Sequence, residues 1–149
     1  MFSEQEQRTI DKAIEIIESK ARKNALTFNY RSELCKFLQM KLAHHTREVF
    51  SVIYLNVHNE MLNYEEVFLG TVSHASVYPR EIAKKALDCG AESVVLAHNH
   101  PSGSLQVSAS DECVTDKIQS ALRTLDIGVQ DHIIVSHRGT TSFVDLNLL

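Results

Sequence analysis

A chain of 149 residues, 44% of them hydrophobic, fits one domain that can bury its own core without disulfide or metal staples. Its 15 basic and 19 acidic residues leave a net charge of −4, which provides no global attraction to a phosphate backbone and argues against direct nucleic-acid binding. Three cysteines, Cys35, Cys89 and Cys113, are far apart and odd in number. That excludes a disulfide framework or thiolate zinc knuckle and suits a reducing, cytoplasmic compartment.

The chain begins "MFSEQEQRTIDKAIEII", with acids where a signal peptide would carry basic residues, and no apolar run nears the roughly 18 residues of a membrane span. Ser3 and Glu6 form a capping-box pattern, and Ile10, Ala13, Ile14, Ile17 and Ala21 recur at helical spacing, so an amphipathic helix is expected first. Ser32 is placed to cap a second helix, with Leu34, Phe37, Leu38 and Leu42 on its inner face. From Glu48 the period changes. "EVFSVIYLNV" and "MLNYEEVFLG" read as two strands of a hairpin, turned by "HNE". Pro79 and Gly90 bracket a third helix with Ile82, Ala83, Ala86 and Leu87 on one face. "ESVVLAH" is continuously apolar, as in a strand buried on both faces. A fourth helix carries Val114, Ile118, Ala121, Leu122 and Leu125, and "VQDHIIVSHRGTTSFVDL" reads as a second hairpin turning at Arg138 and Gly139. The order predicts an α/β (α+β) domain with a single sheet flanked by helices.

The stretch "LAHNHPSGSLQVSASD", residues 96–111, stands between the buried strand and the fourth helix. In an extended segment His98 and His100 leave the same face and aim at one point, and Asp111 at the next helix start can return to that point. Two imidazoles and a carboxylate would leave one position of a tetrahedral zinc for water, the pattern of a catalytic site. Each element also has a plainer reading. The histidine pair can be coincidence, "PSG" an ordinary turn, and Asp111 a partner of Ser108 in capping the helix.

His98-x-His100-Pro101 followed by Ser108-x-x-Asp111 resembles the metal motif of the JAMM (JAB/MPN) metalloproteases. "EVFSVIYLNVHNE", "GTVSHASVYPREIAKKAL", "AHNHPSG" and "DHIIV" resemble, in order, its RadC-like branch, from about Thr46 to Val144. Val107 stands where that branch usually has proline, and no helix-hairpin-helix pattern precedes the domain. The resemblance implies a single MPN-like domain at 46–149 with a mixed sheet, preceded by a helical segment at 1–45. It further implies one zinc on His98, His100 and Asp111, Ser108 beside the reacting carbonyl, and an upstream glutamate as general acid and base. Glu48 matches that glutamate, with Glu65 and Glu66 as competitors.

The activity so implied is hydrolysis of a peptide or isopeptide bond by zinc-activated water. A silent metal-binding scaffold and a DNA-repair accessory role are the alternatives. The two N-terminal helices would pack on the domain, cover the site or mediate a homodimer. His132 reads as a core histidine or as a partner to a ligand. No role is read for His44, His45, His58, His74 or His137, and Arg80 and Glu81 read as a structural pair.

Overall fold

The computed structural model describes residues 3–23, 27–69 and 77–149. The capping box opens α1 (Glu4–Lys23): Ser3 N–H donates to Glu6 Oε2 at 2.7 Å, and Glu6 N–H to Ser3 Oγ at 3.3 Å. The second helix, α2 (Arg31–Leu42), is capped by the extended backbone of Tyr30, so Ser32 falls inside its first turn instead of capping it. Arg31 is held there by Asp145 and by Asp131, which draws the helix start forward. Leu34, Phe37, Leu38 and Leu42 are buried as their spacing predicts. Pro79 starts α3 (Pro79–Cys89), and Gly90, at φ 71°, ends it. Ile82 and Ala86 form its buried row; Leu87, about 100° further round the helix, is 59% exposed. Arg80 and Glu81 do pair, at 3.4 Å on the surface. The fourth helix is α4 (Ala109–Arg123).

Strands β1 (Val49–Leu55) and β2 (Met61–Leu69) form the first hairpin, β3 (Ser93–Asn99) the buried strand, and β4 (Gly128–Ser136) and β5 (Gly139–Ser142) the second hairpin. That hairpin turns at His137 and Arg138, one residue earlier than expected, because Ser136 pairs with Gly139. All five lie in one sheet of order β2-β1-β3-β4-β5, with β3 and β4 parallel and the other pairs antiparallel. A parallel pair needs a crossover, and α4 supplies it.

Alternation along the central strands sorts the core into two layers. Val49, Ile53 and Leu55 of β1, with Val95 and Ala97 of β3, pack against α2. Phe50, Val52, Tyr54, Val94 and Leu96 pack against α3 and α4. Each fully buried leucine or isoleucine in these layers contributes about 1.5–3 kcal/mol. β3 is buried along its whole length. On its α4 side the residue after Leu96 is His98, and there the apolar layer gives way to polar side chains. Among the described residues, no helix is long and apolar enough to cross a membrane.

Candidate metal centre

His98 is the last α4-facing residue of β3, 1% exposed, with Phe50 of β1 directly across from it. The two rings lie parallel, 7° apart in tilt and 6.2 Å between centroids. His100 follows the strand, and its backbone N–H donates to Val135 at 2.8 Å, so β4 holds the chain as it leaves the sheet. The loop then tightens at Gly103, whose N–H donates to the His100 carbonyl at 3.0 Å. Its φ is 84°, a left-handed conformation that favours glycine, and a Cβ there would also press on the His137 ring. Thr141 Oγ1 donates to the Leu105 carbonyl at 2.8 Å, tying the rest of the loop to β5.

Hydrogen-bond geometry decides which nitrogen of each ring carries a proton. The Thr115 hydroxyl lies 2.6 Å from the Asp111 carbonyl and 2.6 Å from His132 Nδ1. A carbonyl only accepts, so the hydroxyl donates to Asp111 and accepts from His132 Nδ1–H. Burial, with His98 adding to it, pulls the His132 pKa well below the ordinary histidine value, which leaves the ring neutral and its Nε2 an acceptor. His98 Nδ1, 2.8 Å away, is then the donor. His100 Nδ1 donates to the Ser104 carbonyl at 3.1 Å. In the neutral forms both remaining nitrogens, His98 Nε2 and His100 Nε2, present bare lone pairs to each other at 2.9 Å. Two acceptors so close repel unless a proton or a metal cation lies between them.

Asp111 supplies the opposite charge. Its Oδ1 is 3.3 Å from His98 Nε2 and its Oδ2 3.7 Å from His100 Nε2. Burial would push this carboxyl up. The interaction with His98 and two hydrogen bonds at Ser108 outweigh burial and hold it well below the usual carboxylate range. The capping role is real as well: Ser108 N–H donates to Asp111 Oδ2 at 2.8 Å, and Asp111 N–H donates to Ser108 Oγ at 3.1 Å. The cap therefore aims Asp111 instead of competing with the cluster. One ligand atom from each of His98, His100 and Asp111 lies within 4.8 Å of the others. Around a tetrahedral zinc with ligand bonds of about 2.0–2.1 Å, ligand atoms stand about 3.3 Å apart, the spacing that His98 Nε2 and Asp111 Oδ1 already have.

Glu48 directly precedes β1, two residues ahead of Phe50, the residue paired with His98. Asn99 fixes that strand start: its Oδ1 accepts Val49 N–H at 2.6 Å, and its Nδ2 donates to the carbonyls of His45 and Arg47 at 3.3 and 3.0 Å. Glu66 pairs with Ser51, on the α2 side of the sheet, where it meets His45 and Tyr64; this is the face opposite His98. Glu65 pairs with Val52 and accepts the Tyr54 hydroxyl at 3.5 Å, further down the sheet from His98. Ser108 caps α4 beside Asp111. His44 and His45 stack on one another at the end of α2, His58 lies in the first hairpin's turn, and His74 falls outside the described residues.

Three residues escape a reading by motif. His132 partners His98 through a ring nitrogen, the second of its two sequence readings. Asn99 sits between the two histidines and faces the other way. Thr115 is 1% exposed in mid-helix; the available signal was its spacing, four residues after Asp111 and three before Ile118 on the buried row of α4.

The profile of the family described as "RadC-like JAB domain" matches residues 28–148. The UPF0758 protein YfjY of Escherichia coli (strain K12) is 38% identical over 143 residues, covering 96% of this chain and 89% of its own length. A UPF0758 protein of Vibrio cholerae is 38% identical over 140 residues, 94% of this chain and 87% of its own. A UPF0758 protein of Actinobacillus succinogenes is 46% identical over 113 residues, 76% of this chain and 51% of its own. The chain thus spans most of some relatives and about half the length of others. With a mixed five-stranded sheet, four helices and a buried His-His-Asp cluster among the described residues, the chain belongs to the RadC-like JAB domain family.

Proposed function

We propose that the protein is a zinc-dependent hydrolase of peptide or isopeptide bonds, with His98, His100 and Asp111 holding the metal. The observation that carries this reading is the convergence of His98 Nε2 and His100 Nε2, 2.9 Å apart, on the buried Asp111 carboxylate. Three protein ligands leave a fourth tetrahedral position for water, as in catalytic zinc sites. Zinc held there would lower the pKa of a water toward about 7 and polarise a carbonyl.

The chain's own residues complete the chemistry. The Glu48 carboxylate takes the proton of the attacking water and passes it to the leaving amine, which splits the amide into acid and amine. Ser108 Oγ accepts the Asp111 N–H and so keeps its own proton for the carbonyl oxygen as charge develops there. Asn99 holds the backbone around Glu48 at the level of the histidines. Net charge of −4 and widely spaced cysteines support a cytoplasmic enzyme acting on a polypeptide, in preference to one gripping DNA.

The test is cleavage of a panel of fluorogenic peptides and isopeptide-linked substrates by zinc-reconstituted protein and by Glu48→Gln. The parent is expected to cleave members of the panel, and the variant to be about 10²–10⁴-fold slower with equal zinc content. A parent that cleaves none, or a variant that matches it, would contradict the reading.

A further inference from the structure

Thr115 touches no bond-making atom, yet its hydroxyl is tied to two of the three cluster residues by separate routes. One route is short: the proton goes to the backbone carbonyl of Asp111, one helical turn earlier on α4. The other crosses to the sheet, where Oγ1 accepts from His132 Nδ1 on β4, and His132 Nε2 accepts from His98 Nδ1 on β3. Thr115, His132, His98 and Asp111 are each no more than 1% exposed, so no solvent molecule competes freely for these bonds. The His132 ring is also held in place. It stacks on Phe143 at 4.5 Å between centroids and 22° of tilt, and meets Phe50 edge-on at 5.5 Å.

A ring nitrogen faces a cation with its lone pair only if the other nitrogen carries the proton. The hydrogen bond to that second nitrogen selects the tautomer and the ring angle. For His100 the Ser104 carbonyl performs this task directly. His98 lies between packed elements and meets another imidazole instead, which can donate or accept. Something must therefore orient His132 first. Because the Thr115 proton is committed to a carbonyl, Oγ1 can only accept from the ring, and this removes the ambiguity.

Resting on the proposed metal site, we infer that Thr115 and His132 are positioning residues. Together they set the tautomer of His98, join the helix that carries Asp111 to the strand that carries His98, and so set the affinity of the site for zinc. Valine at 115 keeps the shape of threonine and loses the hydroxyl, serine keeps the hydroxyl, and phenylalanine at 132 keeps the stacked ring and loses both nitrogens.

The experiment is zinc titration against a competing chelator, on the full chain and on Thr115→Val, Thr115→Ser and His132→Phe, with far-UV circular dichroism to establish that each is folded. Thr115→Val and His132→Phe should bind zinc about 10–100-fold more weakly than the parent, with Thr115→Ser within about threefold of it. Two independent positions keep the test decisive if one variant does not fold. A folded Thr115→Val or His132→Phe with the parent's affinity overturns the inference, as does a Thr115→Ser as weak as the valine variant. A parent that binds no zinc overturns the metal site itself, a different result from a parent that binds and variants that match it.

Discussion

Helix α4 buries one continuous row, Asp111, Thr115, Ile118 and Leu122, and its two halves are held by different physics. Ile118 and Leu122 face Val94, Leu96 and Tyr54 in an apolar layer, where contact is undirected and what counts is volume. Asp111 and Thr115 face His98 and His132, where contact is directional: Thr115 bonds the Asp111 carbonyl and the His132 ring, and Asp111 Oδ1 stands 3.3 Å from His98 Nε2. The lower half tolerates a change of shape in proportion to the space left behind. The upper half tolerates a change of shape well and a lost proton poorly, since a buried polar group without its partner costs about 1–3 kcal/mol. A helix whose buried row turns from apolar to polar while staying buried thus marks where packing ends and a site begins.

Substitutions on either side sharpen that contrast. Leu122→Ala removes a fully buried side chain from the apolar half and should cost about 2–5 kcal/mol of stability in chemical denaturation, while zinc per folded chain stays at the parent's level. Asn99→Leu, close in volume but unable to hydrogen-bond, removes the partner that Val49 N–H and two carbonyls find in Asn99. It should cost about 1–3 kcal/mol by the same measurement and slow turnover through the backbone around Glu48, with zinc retained. Ser108→Ala breaks the cap, for about 0.5–2 kcal/mol, and also lowers the rate by removing a donor to the carbonyl oxygen. Ile118→Val, the mildest, should cost about 0.5–1.5 kcal/mol and leave zinc affinity and rate unchanged. A loss of zinc in Leu122→Ala or Ile118→Val would erase the distinction between the halves.

Much of this was legible in the sequence because it depends on local period. The unbroken run Val94–Ala97 marks a strand buried on both faces, and Ser3 with Glu6 and Gly90 mark helix ends that the structure shows in place. The motif that unites His98, His100 and Asp111 was legible for the same reason: a strand end at Asn99, a tight loop and a helix start at Ala109 follow one another directly in the chain. Period does not show where a neighbouring element stops. Leu87 and Leu125 continue apolar stripes by spacing, yet are 59% and 40% exposed, Leu125 because it lies beyond the last turn of α4. Nor does it show cross-sheet pairing. His132 reads as a core histidine or a ligand's partner until the parallel register sets it opposite Leu96, one step from His98 on the same face, and Thr115 reads as an unremarked threonine until the crossover lays α4 over that pair. Asn99 is hidden by the pleat, since it faces the side opposite to the histidines that flank it.

The central claim is that His98, His100 and Asp111 hold a metal, and elemental analysis tests it most directly. After reconstitution with zinc and removal of the excess, mass spectrometry should find about one zinc per chain in the parent. His98→Ala and Asp111→Asn should hold almost none at unchanged circular dichroism. A parent without zinc, or a His98→Ala variant that keeps its full complement, would contradict the account.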